Sequence, residues 1–241
     1  MDLAPDEWDW DILNEEWLSD EPELESDLHR NQIDLLLRLM RWHWRDQNNI
    51  YCSGNTTVYY DPLRKNNRIF RGPDLYIVLD TDPRQRRSWM VWREGGKYPD
   101  IVIELLSDET AEIDRTAKKE LYQNVWHLPN YFWFHPYTYE LRGFHLVGRS
   151  YREIQPNHAG HLWSDALNLF LGVHEGVLRL FTEMGDLVLL EEEEIREMLE
   201  LDRQRVEREQ KEVQKARQRA DQLAQQLREL GVDPDEVDCS S

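Results

Sequence analysis

Three residues of this chain have the types and the order that phosphoryl chemistry requires: Asp74, Glu104 and Lys118. Asp74 follows Pro73 and heads the apolar run Leu75-Tyr76-Ile77-Val78-Leu79. Glu104 lies inside a second run, Ile101-Val102-Ile103-Glu104-Leu105-Leu106, and Lys118 sits on the helix-like segment after it. A carboxylate inside an apolar strand costs on the order of several kcal/mol unless it is paired or bound to metal. Mg²⁺ is held by one or two carboxylates plus waters, which leaves positions for a substrate phosphate. Such an ion polarises the phosphate and lowers the pKa of an attacking water, and a nearby lysine orients that water and balances developing charge. Asp114, Lys118 and Tyr122 lie four residues apart and share one helix face, which can look back at the strand carrying Glu104. Lys119 points about 100° away. The same residues admit a structural reading, with Pro73-Asp74 as a turn before a strand and Glu104 as a buried partner of Lys118 or of an arginine.

The elements that must position these residues can be read in order. Residues 27–44 carry Leu28, Ile33, Leu35, Leu36, Leu37, Leu39, Met40, Trp42 and Trp44, a helical pattern apolar over much of its circumference, with Ser26 or Asp27 as its cap. Residues 50–60 predict one or two strands, and Asp61-Pro62 and Lys65-Asn66-Asn67 a loop. Trp89-Met90-Val91-Trp92 predicts a short strand before the turn Glu94-Gly95-Gly96-Lys97. The run at 101–106 reads as a strand buried on both faces. Ser107-Asp108-Glu109-Thr110 opens a helix expected to run to about Val125, with Ser107 as a cap or a supporting group. Strands follow at 131–134, 141–147 and 151–154, with a hairpin formed by 167–173 and 177–181 across His174-Glu175-Gly176. The expected class is α/β: a mixed sheet flanked by helices, one domain over 28–190.

The formal charge of -19 is unevenly distributed. Residues 1–27 hold twelve acids, no Lys or Arg, and the aromatic residues Trp8, Trp10 and Trp17, the composition of a solvated arm. Residues 28–190 are neutral, with twenty acids and twenty bases, and lack the basic stripe that drives tight non-specific binding to nucleic acid. Residues 191–230 contain no Gly or Pro, and a seven-residue spacing links Leu199, Val206, Val213, Ala220 and Leu227. The companion positions are Ile195, Asp202, Glu209, Ala216, Leu223 and Leu230, so two acids weaken the middle of the seam. This segment predicts a long helix that pairs with itself, giving a homo-oligomer, as a dimer; the alternative is a lone solvated helix held by charge pairs. Residues 231–241 read as a disordered tail. Two cysteines, no secretory leader and no bilayer-length apolar stretch fit a reducing, cytoplasmic setting without membrane contact. His158 and His161 lack the further ligands of a zinc site, and no Gly-rich phosphate loop is present.

Taken together, Pro73-Asp74 before an apolar strand, Ile101-Val102-Ile103-Glu104-Leu105-Leu106-Ser107, Asp114-x-x-x-Lys118-x-x-x-Tyr122 and Tyr131-Phe132-Trp133-Phe134-His135-Pro136 resemble the Uma2 family. That family is abundant in cyanobacteria and belongs to the restriction-endonuclease-like PD-(D/E)XK superfamily. The resemblance spans about residues 28–190. It implies a mixed sheet flanked by helices and cleavage of DNA phosphodiesters with Mg²⁺, or Mn²⁺ in its place. Asp74 and Glu104 match the metal-binding acids. Lys118 matches the lysine that this family carries on the helix, since Leu106 stands where the superfamily's usual lysine would be. Asp114 and Tyr122 match positions that shape the site. One departure is the acidic arm, which replaces a glutamate-bearing hairpin found before the first helix in many members. A second function class therefore stands beside the nuclease: an inactive nuclease fold that works as an interaction protein through its coiled coil and acidic arm.

Overall fold

The computed structural model of the chain describes residues 26–62, 70–107 and 111–230. The acidic arm up to residue 25, the loop at Lys65-Asn66-Asn67, the helix start at Asp108-Glu109-Thr110 and the tail after Leu230 lie outside them. The chain divides into two units between Leu190 and Glu191.

The first unit opens with α1 (Asp27–His43), whose N-terminal cap is Ser26; the serine hydroxyl accepts from the His29 N–H at 3.3 Å. Its buried face carries Ile33, Leu36, Leu39 and Met40. Then come β1 (Ile50–Gly54), β2 (Val58–Tyr59), β3 (Phe70–Arg71), β4 (Leu75–Leu79) and β5 (Trp89–Met90). The strand expected over 89–92 stops at Met90, because Val91–Glu94 closes into a 3₁₀ turn. Gly95 and Gly96 follow that turn at positive φ, a conformation that glycine adopts without strain. After β6 (Ile101–Leu105) the chain forms α2 (Ala111–Ile113), a π-helical turn (Asp114–Lys118), α3 (Lys119–Leu121) and a second π-helical turn (Tyr122–Trp126). The remaining strands are β7 (Asn130–Phe134), β8 (Leu141–Val147), β9 (Ser150–Glu153), β10 (Leu162–Ser164), β11 (Leu169–His174) and β12 (Val177–Phe181).

The main sheet has the order β1-β4-β6-β7-β8-β9. β6 and β7 run parallel and the other neighbours antiparallel. Two parallel neighbours need a crossover, and the 111–126 helix supplies it, which lays that helix over the face carrying the even-numbered residues of β6. Strand alternation then sorts the core. Ile101, Ile103 and Leu105 pack with α1, while Val102 and Leu106 pack with Tyr122, Trp126, Tyr131 and Trp133. Glu104 falls in register with the second set and is fully buried. The arrangement is the expected mixed sheet flanked by helices.

Two three-stranded sheets accompany it, β3-β2-β5 and β10-β11-β12. The second packs into the α1 side of the core and is tied to the helix by Gln32, whose side chain donates to Leu178 O at 3.0 Å and accepts from Leu178 N at 2.9 Å. The hairpin between β11 and β12 turns on Glu175 and Gly176, both at positive φ, as a two-residue turn requires. β10, a three-residue strand, is an addition to the expected hairpin.

The second unit is α4 (Glu191–Glu229), the long helix expected there, and it has no buried residue. No helix among the described residues is long and apolar enough to cross a membrane.

Candidate functional site

The site forms because β4 and β6 are antiparallel neighbours with Leu75 opposite Ile103, which places Asp74 at the entrance of β4 beside Glu104 near the end of β6. The two residues are tied through the backbone in both directions. Leu105 N–H donates to Asp74 Oδ2 at 2.7 Å, and Asp74 N–H donates to Glu104 Oε2 at 3.2 Å. Gly54 opposes Leu75 at the neighbouring end of β1, where a Cβ would lie 2.5 Å from Ile33 and 3.2 Å from the Asp74 carbonyl. The missing side chain thus lets α1 approach the strand end that carries the site.

From the other side, the 111–126 helix delivers three of the residues singled out by spacing. Lys118 Nζ lies 3.2 Å from Glu104 Oε2 and 2.6 Å from Asp114 Oδ1, and the Tyr122 hydroxyl donates to Glu104 Oε1 at 2.7 Å. Glu104 and Asp114 are 0% and 1% exposed, and the Lys118 side chain 19%, so the lysine is the edge of the cluster that meets solvent. The uninterrupted α-helix expected here is broken by two π turns. The first of them begins at Asp114, where the Tyr131 hydroxyl, from β7, donates to the carbonyl at 2.9 Å and so competes with the helical ladder. Lys119 departs from the cluster, with its ammonium 3.5 Å from the centre of the Phe144 ring. Ser107 follows β6 and its carbonyl accepts from Ala111 N–H at 2.9 Å, which connects the strand to the helix. Leu106 is wholly buried among aromatic residues.

Electrostatically the cluster is out of balance, with three carboxylates against one ammonium. Burial, then the charge of Glu104, pushes the Asp74 carboxyl well above the usual carboxylate range, against the opposing pull of Lys118 and the Leu105 N–H. Burial alone would lower Lys118, but Glu104, Asp114 and Asp74 outweigh it and hold the ammonium above its ordinary value. Burial and the adjacent Glu104 likewise raise the Tyr122 phenol, so it remains a hydrogen-bond donor.

Among the described residues no group of three or more His, Cys, Asp or Glu is placed to hold a metal ion. Asp114 is turned to Lys118, which leaves Asp74 and Glu104 as the converging pair. Two adjacent carboxylates whose repulsion raises one of them are a fitting donor set for a hard dication, which needs one or two carboxylates and keeps waters in its other positions. His158 and His161 do not join such a set, and His161 instead stacks on Phe181 with ring centres 3.9 Å apart.

Two contributors escape the spacing argument. His29 on α1 places Nε2 3.0 Å from the Leu105 carbonyl and Nδ1 2.8 Å from the Ser26 hydroxyl, bracing the peptide whose neighbouring N–H holds Asp74. Tyr131 is the other, through Asp114. The only sequence signal for His29 is a polar residue on the buried face of an amphipathic helix. A cleft of about 570 Å³, lined in part by Arg41, Arg45, Arg86 and Cys52, opens elsewhere, toward the Ile50 end of β1, and shares no residue with the cluster. Its lining runs along β1 as far as Ser53, the residue before Gly54.

Comparison with known proteins gives a family and a distant structural likeness. The sequence model of the Uma2 family, described as putative restriction endonuclease, matches residues 2–174. No curated protein sequence matches the chain. Among solved structures the chain is similar to a putative nuclease belonging to DUF820 from Anabaena variabilis, at 10% identity and a TM-score of 0.41, over 61% of this chain and 76% of that one.

Proposed function

Because the chain belongs to the Uma2 family of putative restriction endonucleases, we propose that it hydrolyses DNA phosphodiester bonds with a divalent metal, Mg²⁺ or Mn²⁺, at the Asp74–Glu104–Lys118 cluster. The observation that carries this reading is the crowding of three buried carboxyl groups around one ammonium, a crowding that a proton on Asp74 or a bound cation relieves. Asp74 and Glu104 are the ligands. A bound ion there would polarise a phosphate oxygen and acidify a water.

The rest of the work falls to the chain itself. Tyr122 and the Asp74 N–H fix both oxygens of Glu104, so the carboxylate cannot rotate away from the site. Asp114 holds Lys118 at the solvent edge of the cluster. Because the lysine is held protonated, its task is to donate to the attacking water and to the charge that builds on phosphate, and not to remove a proton. In this reading the nuclease-like domain is 28–190, with 191–230 as a helical appendage.

The first test is calorimetric titration of Mg²⁺ and Mn²⁺ into wild type and Glu104→Gln, with cleavage of plasmid and single-stranded DNA measured alongside. The reading expects metal binding lost in Glu104→Gln, and cleavage lost in Asp74→Ala, Glu104→Ala and Lys118→Ala chains that still fold. Metal-loaded wild type that cleaves neither DNA sinks it.

A second reading is favoured by a different observation. α4 exposes Leu199, Val206, Val213 and Leu223, in register with a heptad seam that Leu230 continues just past its end. These residues support pairing with a second copy as a coiled-coil dimer, and they would serve an inactive scaffold as well as an enzyme. Asp202, Glu209 and the seam between them make that pairing weak in its middle. If polar substitutions at Leu199, Val206 and Val213 abolished the biological activity while Glu104→Ala left it intact, the scaffold would be the better account.

A further inference from the structure

Of the 26 aromatic residues in this chain, those described are buried or half-buried, with two exceptions: Tyr137 is 61% exposed and Tyr139 53% exposed. Both stand on the short loop between β7 and β8. This loop leaves the sheet at the end where the candidate site lies, because Phe134, the last residue of β7, is paired with Leu105, the residue after Glu104. Neighbouring strands are about 4.8 Å apart, so the loop begins one strand away from the carboxylate pair.

The loop is closed and braced, so its rings are held and not merely frayed: the edge of the Tyr139 ring lies along Gly176 of the β11–β12 turn, and Tyr137 is the more exposed of the two. His135 N–H donates to Glu140 O at 2.9 Å, Tyr139 N–H to His135 O at 2.8 Å, and Tyr137 N–H to His135 Nδ1 at 3.3 Å. Glu140 pins the loop to the helix that carries Lys118, since Arg115 Nη2 lies 2.6 Å from Glu140 Oε2. Arg142 Nε lies 3.7 Å from the same carboxylate, and the two arginine side chains are 40% and 53% exposed. Two exposed tyrosines are the elements of a stacking platform, on whose rings bases dock. The guanidiniums at their base brace the loop and are themselves compensated, since Arg142 Nη1 also lies 2.6 Å from Glu153 Oε1.

We infer that Tyr137 and Tyr139 receive unpaired bases beside the Asp74–Glu104 pair, so that the substrate is single-stranded or locally unpaired DNA. This deepens the nuclease reading and rests on it. A base within an intact duplex already has both faces covered and offers a ring nothing to stack on. Duplex binding would instead draw on phosphate contacts, and the neutral charge of residues 28–190 provides no basic stripe for them. Tyrosine is suited to the task because it offers a large flat surface at the cost of ordering only two side-chain torsions.

The test is fluorescence anisotropy of a labelled oligothymidylate and of a matched hairpin duplex, in EDTA so that no strand is cut. It uses wild type, Tyr137→Ala, Tyr139→Ala, the double variant and the double phenylalanine variant. The expected result is tighter binding to the single strand, a loss of about five-fold or more for each ring removed, and retention by phenylalanine. Duplex binding should be the same in every variant. Equal affinity of wild type for both DNAs, or single-strand affinity unchanged in the double alanine variant, overturns the inference. The nuclease reading is judged separately, by cleavage with Mg²⁺ or Mn²⁺. Cutting of both DNAs with no effect of the tyrosines leaves that reading standing and removes this one. Ring-dependent binding without any cutting keeps the stacking rings but removes the nuclease reading, and with it the claim that the bound strand is a substrate.

Discussion

The Arg86 cluster and the Glu104 cluster each hold buried charge in the same unit, and they balance it differently: Arg86 and Glu94 are withdrawn from water while Arg84 and Asp82 stay more than half exposed. Around Arg86, two guanidiniums face two carboxylates. Arg86 Nε and Arg84 Nη2 lie 2.8 and 3.0 Å from Glu94 Oε1, and Arg84 Nη1 lies 2.8 Å from Asp82 Oδ2. The Arg86 side chain is 4% exposed, and its guanidinium also sits over the rings of Tyr51 and Trp89 at 4.7 and 4.8 Å. Every charge has a counter-charge, and nothing further is called for. Around Lys118, three carboxylates share one ammonium, and the surplus raises Asp74. A buried guanidinium alone does not mark a functional cluster, since Arg86 is nearly as withdrawn as the carboxylates around Lys118. The sign and size of the uncompensated charge do, because only a surplus creates affinity for a further ion.

The largest break in this comparison comes from removing the single cation. In Lys118→Met, Glu104 and Asp114 remain buried without a counter-charge, which costs about 3–5 kcal/mol of folding stability. Urea unfolding in EDTA measures the loss. Addition of Mg²⁺ or Mn²⁺ should restore part of it, because an ion that binds the folded state alone stabilises that state in proportion to its occupancy. Arg86→Met also destabilises the chain, but no divalent metal should recover it. A Lys118→Met chain as stable as wild type in EDTA would show that the lysine does not hold the cluster together.

Much of this architecture is legible in the sequence, for reasons that can be localised. The helix over 27–43 is written in its apolar spacing and in Ser26, and the strand at Ile101–Leu105 in an apolar run too short for a helix. The two apolar runs that carry Asp74 and Glu104 are legible on either side of the polar segment 80–100, but their pairing as sheet neighbours is set by the fold. What escapes is set by distant partners. The first π turn begins where the Tyr131 hydroxyl reaches Asp114 from another element. His29 and Gln32 look like interruptions of an apolar helix face until Leu105 and Leu178, 76 and 146 residues away, turn out to receive them. At Val91 and Trp92, β-prone side chains lose to a 3₁₀ turn that the following glycines allow. The Tyr137 and Tyr139 rings belong to the same class, since no local pattern distinguishes a displayed tyrosine from the buried ones.

A smaller effect, of opposite sign, sharpens the contrast. An aspartate in the unfolded chain titrates near about 3.9, and burial beside Glu104 raises the Asp74 carboxyl well above that in the folded protein. Between the two values the folded state binds more protons than the unfolded one, so Asp74 makes stability fall as pH rises through that window. Asp74→Asn keeps an oxygen for the Leu105 N–H and removes the charge. In EDTA it should melt higher than wild type at neutral pH and lose that downward slope. Mg²⁺ should raise the melting temperature of wild type and leave the variant unchanged. Thermal melts across the acidic and neutral range decide it. A variant less stable than wild type in EDTA at neutral pH would mean that the pair is already compensated without metal.

The smallest expected effect lies in the balanced cluster. Glu94→Gln removes a carboxylate that takes three hydrogen bonds from Arg84 and Arg86. Arg86 nonetheless keeps the carbonyls of Asp82 and Arg84 as acceptors, Asp82 as a counter-charge, and the two rings beneath it. The remaining partners limit the cost to about 1–2 kcal/mol. Because the substitution leaves a surplus of positive charge, no divalent cation should offset it, and the metal affinity measured by calorimetry should equal that of wild type. The argument turns on that second number. If losing Glu94 weakened metal binding at Asp74 and Glu104, the two clusters would be parts of one electrostatic unit, and charge balance within each could no longer be the property that separates their roles.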